Sequence, residues 1–348
     1  MNFDLTEERQ MLQDTLRRFL AGAEGDLWPQ LAELGVIGAL FSEAQGGFGG
    51  AGFDLSVVFE ELGRADVEVP LIDNALLPGL LLAAAGESVE ALIDGSERLA
   101  FAHNEQAARY DYNWVETRFE NGKLTGEKSV IVGADSADSF IISARHAGTP
   151  EAEQGIGLYR VDKAATGLTL RAYDLIQGGR GADITLENTP ATLLMEDAYG
   201  AITAAMAAAT LAVSAETLGS MQTAVEMTAE YLGTRKQFGR PIGTFQALRH
   251  RLVDMMVELE QARSAVILGA GNLDAAPNER DFVLSATKNI IGRVGRLVTE
   301  ESIQMHGGIG MTQEYALGRF AKRITMADHR FGDTDHHLEQ FIALGVGV

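Results

Sequence analysis

The chain has 348 residues, 46% of them apolar, with 39 glycines and no cysteine; it can build two or three domains around a sizeable core, and disulfides, thiolate metal sites, iron–sulfur clusters and a catalytic thiol are excluded. Its 28 Lys and Arg against 49 Asp and Glu give a net charge of −21, which disfavours nucleic acid because phosphate binding needs clustered cations. The charge is uneven: residues 1–234 carry 14 basic and 36 acidic side chains and residues 235–348 carry 14 and 13, so the last third is the part suited to meet a small polyphosphate.

The opening Met1-Asn2-Phe3-Asp4-Leu5-Thr6 has no basic segment followed by an apolar run, so no export signal is expected and the protein is expected in the cytoplasm. Thr6 is placed to cap a helix whose first turn holds Glu7 and Glu8 at the positive end of the dipole, followed by Leu12, Leu16, Phe19 and Leu20 at helical spacing. Helical patterns recur over 27–34, 55–62 and 76–85 with Gly and Pro between them, so residues 1–97 read as a helical domain. From Leu99 to about Leu194 the texture becomes β-branched and alternating, with runs at 115–119, 130–132, 140–143, 157–161 and 168–171. Asn121-Gly122 between two such runs is a hairpin signal, since both residues tolerate positive φ. Residues 98–196 therefore read as a β-domain. Long helices return over 198–232, 245–273 and 279–305, joined by loops holding Gly239, Pro241 and Pro277, and residues 197–348 read as a helical bundle. The fold class is α+β. The most apolar stretches are 75–85, short and broken by Pro78 and Gly79, and 198–215, Ala-rich with Thr203, Thr210 and Ser214; both read as buried helix, and no membrane span is expected.

Four motifs carry chemical possibilities. Gly47-Phe48-Gly49-Gly50-Ala51-Gly52 matches the dinucleotide fingerprint, but a helical stretch, not a second parallel strand, follows it, so an interhelical loop is expected. Residues 328–337 gather Asp328, His329, Asp333, Thr334, Asp335, His336 and His337 without a recognised metal spacing, so a hydrogen-bonded loop is expected there and no metal. The segment YLGTRKQFGRPIGTFQ, residues 231–246, places Arg235, Lys236 and Arg240 around a turn between two helices. Gln304-Met305-His306-Gly307-Gly308-Ile309-Gly310-Met311 follows a helix with bare backbone that a ligand could approach closely.

The last two segments, YLGTRKQFGRPIGTFQ and QMHGGIGMTQEY, resemble the C-terminal signatures of acyl-CoA dehydrogenases. EAQGGFGGAGFD resembles that family's early glycine loop, and the helical, β, helical order is its architecture. LAFAHNEQAARYD, LTGEKSVIVGADSAD and RFGDTDHHL resemble small subunits of pimeloyl-CoA-dehydrogenase-like enzymes.

The resemblance implies desaturation of an acyl-CoA thioester: a Glu removes the α-proton, the β-hydride moves to the flavin of FAD, and the electrons leave to an electron-transfer flavoprotein. FAD in this family lies across a subunit interface, its ring on one chain's β-domain and its pyrophosphate and adenine reached by the neighbour's C-terminal helices. Arg235, Phe238, Gln246, Gln304, Gly307 and Gly308 stand where the family contacts the partner's FAD, Arg235 on the pyrophosphate. The ring-holding side departs from the pattern. The T-E-P-x-x-G-S-D loop is replaced by HNEQAARYD at residues 103–111, and the W-I-T strand behind the flavin reads Val130-Ile131-Val132. The usual catalytic Glu falls at Phe331, and the alternative helix position falls at Ala209; Glu216, Asp333 and Asp335 are the carboxylates nearby. The resemblance thus points to a non-catalytic small subunit of a heteromeric acyl-CoA dehydrogenase, paired with a second dehydrogenase subunit in a heterotetramer. The alternatives are an active homo-oligomer with a displaced carboxylate base and a flavin-free acyl-CoA-binding or scaffold protein.

Overall fold

The structure, a computed structural model, describes residues 5–312 and 314–345; the first four residues, on which the export reading partly rests, lie outside them. Thr6 adopts the extended cap conformation, φ −64° and ψ 161°, and its side chain accepts from Arg9 N, so α1 (Glu7–Leu20) begins where capping and dipole place it. Asp26 caps α2 (Leu27–Glu33) in the same way. Then come α3 (Gly52–Ala65), a π-helical turn at Ile72–Leu76, α4 (Leu77–Ala84) and α5 (Glu90–Ile93).

The middle of the chain supplies β1 (Leu99–Ala102), β2 (Arg118–Glu120), β3 (Lys123–Val132), β4 (Ser139–Arg145), β5 (Ile156–Asp162), β6 (Leu168–Asp174), β7 (Arg180–Pro190) and β8 (Thr192–Met195). Asn121 and Gly122 take φ of 51° and 78°, the two-residue turn that joins β2 to β3. The run expected at 115–119 is strand only from Arg118. The reason is Glu105, whose carboxylate accepts from the backbone N–H groups of Glu116 and Thr117 and so withdraws them from a ladder.

The C-terminal part is α6 (Tyr199–Thr234), a short hairpin of β9 (Lys236–Gln237) and β10 (Arg240–Pro241), α7 (Gln246–Gly271), α8 (Pro277–His306), α9 (Leu317–Asp328) and α10 (Thr334–Gly345). By length and composition α6 could cross a membrane, but 78% of its most apolar stretch is buried, as in a core helix.

Two compact units make up the described residues. One comprises Glu24–Gly50 and Glu68–Ala209. Its sheet runs β6-β7-β3-β2-β4-β5-β8, with β1 added parallel to β4. Leu124, Ile131, Phe140, Ile142, Tyr159, Ile184 and Leu186 form its core. The other comprises Met1–Ala23, Ala51–Val67 and Thr210–Val348. Here glycines let helices touch backbone to backbone: a Cβ on Gly63 of α3 would sit 1.8 Å from the Glu216 carbonyl of α6, and one on Gly219 would sit 2.0 Å from the Glu60 carbonyl. That approach brings Ser220 and Thr223 of α6 within reach of the carbonyls of Gly63 and Arg64 in the last turn of α3.

Candidate functional site

The residues expected to meet FAD lie in the second of these units, on two neighbouring chain ends. Arg235 follows directly on α6, its N–H bonded to the Tyr231 carbonyl, and its own carbonyl accepts from Ile242 N. Between them β9 and β10 pair antiparallel across Phe238 and Gly239, whose φ values of 52° and 78° are both left-handed. A phenylalanine in that region is uncommon and costs energy, and its ring is 90% exposed. Arg240 lies over the Phe245 ring at 4.3 Å, and Phe238 meets the same ring edge-on. The side chains of Arg235, Gln246 and Gln304 are exposed and have no hydrogen-bond or ion-pair partner among the described residues.

The other chain end is the turn after α8. Gly307 takes φ 66° and ψ −144°, a conformation for glycine alone. Gly308 needs no such freedom, and a Cβ there would meet nothing within 4 Å. Nothing among the described residues therefore requires glycine at 308, as expected where an outside group approaches the backbone. The two ends are joined: the Tyr231 ring stacks on the His306 ring at 4.4 Å. Unpaired cations, exposed amides and open backbone suit a pyrophosphate and an adenine, so these residues fit the outer half of FAD.

The positions where a base is expected are occupied differently. Ala209 is fully buried. Phe331 is half-buried with φ 58°, beside Gly332 at φ 105°. Its loop is held by two buried groups. Lys288 Nζ donates to the Asp328 and Gly332 carbonyls at 3.0 and 2.9 Å, and burial pushes its pKa down to about 8. His337 Nε2 donates to the Phe331 carbonyl at 2.9 Å, so Nδ1 is left to accept from Ser285, and burial lowers this imidazole to about 3. Thr334 closes the loop onto Asp328 at 2.8 Å. Asp333 accepts from His336 N at 2.9 Å and so caps α10, Asp335 is exposed in that helix's first turn, and Glu216 is half-buried on α6. The cluster at 328–337 is thus a hydrogen-bonded loop. Among the described residues no three His, Asp or Glu side chains converge as a metal site would require.

In the β-bearing unit, loop 103–117 is built on a buried ion pair that sequence reasoning missed. Lys128 Nζ, fully buried, donates to Glu105 Oε1 at 2.7 Å, the Ser143 hydroxyl at 3.0 Å and the His103 carbonyl at 3.1 Å. Glu105 also accepts from Glu116 N, Thr117 N and the Thr117 hydroxyl. Burial opposes its ionisation, but Lys128 and these donors hold its pKa below the usual carboxylate range. His103 Nδ1 meets Ser143 Oγ at 2.8 Å, and burial lowers its pKa to about 3. Laid over residues 104–111, the T-E-P-x-x-G-S-D pattern sets Glu105 on its Glu, Asp111 on its Asp and Arg109 on its Gly, and Arg109 has a left-handed φ of 50°. The loop has changed its side chains and kept a glycine-like bend; the Glu-x5-Asp spacing was the signal available.

The strand segment behind a flavin ring is altered more deeply. Val130 has φ 54°, an outlier for a β-branched residue, and is 51% exposed. Its N–H donates to Asp183 Oδ1 at 3.1 Å, and Tyr173 and Arg171 donate to the same carboxylate. Val130 offers no indole to stack and Val132 no hydroxyl to donate. The glycines at 47–50 are packing devices: Cβ atoms on Gly47 and Gly49 would sit 2.2 and 2.3 Å from the Phe41 and Ala39 carbonyls. Three-residue helical turns, not a strand, precede them.

Comparison with known proteins decides the family. The profile of the acyl-CoA dehydrogenase C-terminal domain matches residues 199–343, and that of the N-terminal domain matches residues 6–88. The chain belongs to the acyl-CoA dehydrogenase family. It has that family's fold, with N-terminal helical, central β and C-terminal helical parts, and is by membership an oxidoreductase of the class that desaturates acyl-CoA with FAD. It is 29% identical to the acyl-CoA dehydrogenase IpdE2 of Mycobacterium tuberculosis, over 91% of each chain. Among solved structures it is similar to the Tcur3481–Tcur3483 steroid acyl-CoA dehydrogenase G363A variant, with TM-score 0.85, 28% identity and 98% of each chain covered. The ChsE4–ChsE5 complex of Mycobacterium tuberculosis shares the fold, with TM-score 0.85 and 21% identity over 100% of each chain.

Proposed function

We propose that this chain is the non-catalytic small subunit of a heteromeric acyl-CoA dehydrogenase, of the kind seen in pimeloyl-CoA-dehydrogenase-like enzymes, and that it donates contacts to FAD held by a larger partner. The observation that carries this reading is the asymmetry between the two halves of a flavin site. Arg235, Gln246, Gln304 and Gly308 stand unpartnered and open, while the ring side reads Val130 and Val132 and the base position reads Phe331. Phe cannot take a proton, and Asp333 already serves as a helix cap.

Bound FAD would accept the β-hydride, and the partner would supply the Glu that takes the α-proton. This chain's part is binding and orientation. Arg235 would meet the pyrophosphate, Gln246 and Gln304 would offer amides, Phe238 would offer a face to the partner-held cofactor, and Gly307 and Gly308 would let the backbone approach. The name of the similar Tcur3481–Tcur3483 steroid acyl-CoA dehydrogenase supports a two-protein assembly and a steroid-derived acyl group as one substrate class. An electron-transfer flavoprotein is the electron acceptor in this reading, the cytoplasm the compartment, and 1–97, 98–196 and 197–348 the domains.

The test is Arg235→Ala in the co-purified complex. Losing one charge-assisted contact weakens FAD retention by about ten- to a hundredfold. Full flavin occupancy with unchanged activity would overturn the donated-contact reading.

A further inference from the structure

His306 is 4% exposed and sits at the junction of three pieces of chain. Its Nδ1 lies 2.8 Å from the Ser302 carbonyl, which can only accept, so Nδ1 carries the proton. Nε2, 3.2 Å from the Tyr315 hydroxyl, is then the acceptor and Tyr315 the donor. Both groups are kept in these forms by their surroundings. Burial lowers the His306 pKa, while burial, Glu230 and Tyr231 raise that of Tyr315. One face of the imidazole stacks on Tyr231 with 24° between planes, and the Tyr315 ring is tilted against it at 5.2 Å.

Each of these contacts leads to a different part of the FAD-facing surface. Tyr231 is in the last turn of α6, and its carbonyl accepts from Arg235 N at 2.8 Å at the root of the β9–β10 hairpin. Ser302 belongs to the last turns of α8, directly before Gly307 and Gly308. Tyr315 lies beyond the turn, after the 3-10 segment Gly307–Met311. Gly310 fits this arrangement too: a Cβ there would lie 3.0 Å from His306 Cβ, whereas Gly308 faces open space. One glycine makes room for the histidine and the other leaves room for something outside the chain.

We propose that the Tyr231–His306–Tyr315 cluster is a positioning device that fixes the Arg235 hairpin against the Gly307–Gly308 turn, so that both present their contacts to one FAD. The inference rests on the donated-contact reading and adds His306 and Tyr315 as residues that act through Arg235 and the glycine turn without touching the cofactor. The tautomer is part of the device, because a proton on Nε2 in place of Nδ1 would turn a lone pair toward the Ser302 carbonyl and leave that carbonyl unpaired, while the bond to Tyr315 would reverse its direction.

The experiment uses the co-purified complex and the chain alone. His306→Phe keeps a flat ring for Tyr231 and loses both hydrogen bonds; Tyr315→Phe loses one. In the complex His306→Phe is expected to raise the FAD concentration for half-saturation about tenfold, with turnover recovered at saturating FAD, and Tyr315→Phe to shift it the same way by less. In the chain alone, amide exchange at Arg235 and Ile242 should quicken in His306→Phe without a matching fall in melting temperature. Unchanged FAD affinity in both variants, or a loss of FAD that only parallels a loss of global stability, overturns the inference. If Arg235→Ala weakens FAD and His306→Phe does not, the positioning role alone fails. If Arg235→Ala is silent, the donated-contact reading fails and takes this inference with it.

Discussion

Replacing Lys128 by Met should strike hardest at loop 103–117, which is held by the buried pair of Lys128 with Glu105. Lys128 is 0% and Glu105 4% exposed in their side chains, and they meet at 2.7 Å. Lys128→Met leaves a buried carboxylate with its three other donors, Glu116 N, Thr117 N and the Thr117 hydroxyl. Breaking a buried pair on one side costs about 3–5 kcal/mol, and the surviving donors place the expected loss near the lower end, about 3 kcal/mol. Glu105→Gln should cost a similar amount by leaving the ammonium without its anion. The double variant Lys128→Met/Glu105→Gln should lose less than the sum of the two, with a coupling of about 1–3 kcal/mol. Urea unfolding followed by tryptophan fluorescence is suited to this, since Trp114 lies in loop 103–117 and Trp28 reports the same unit. Additive losses below about 1 kcal/mol each would refute the idea that this pair holds the loop.

Acid should weaken the fold through two buried histidines. His103 and His337 are each lowered to about 3 from an ordinary 6.5, so the unfolded chain takes up their protons first and stability falls as pH drops below about 6.5, by roughly 2 kcal/mol per histidine at pH 5. Melting temperatures equal at pH 7 and pH 5 would contradict this. Gly63→Ala should destabilise by about 1–3 kcal/mol or more, because its Cβ would lie 1.8 Å from the Glu216 backbone oxygen, whereas Gly200→Ala, with nothing within 4 Å, should be neutral or slightly stabilising. Thermal melts of the two variants side by side decide it, and equal shifts would count against the close helix approach.

Much of the architecture was legible because local chemistry and tertiary structure agree. Thr6 with Glu7 and Glu8 announces α1, and Asn121-Gly122 announces a turn that forms with both φ values positive. The turn at Phe238-Gly239 has the same geometry and was harder to read, since phenylalanine does not favour positive φ and the strain is borne where the ring stays exposed. The alternating run at 115–119 is not strand over 115–117 because the Glu105 carboxylate, eleven and twelve residues away, captures the backbone donors of Glu116 and Thr117. Family signatures placed Arg235, Phe238, Gln246, Gln304, Gly307 and Gly308 in order along the chain. They could not show that a Tyr231–His306 stack joins two segments so far apart in sequence, nor that Lys128 closes on Glu105, since such pairings depend on how the helices and strands come together.

The central claim, that this chain offers the outer half of a flavin site and not the ring half, is tested most directly by absorption. The visible spectrum of the chain purified alone is compared with that of the chain co-expressed with an acyl-CoA dehydrogenase that carries the Glu and the ring-holding side. No flavin bands are expected for the chain alone, and stoichiometric flavin is expected in the complex. Stoichiometric flavin on the lone chain would contradict the claim, and would mean that Val130 and Val132 still support the ring.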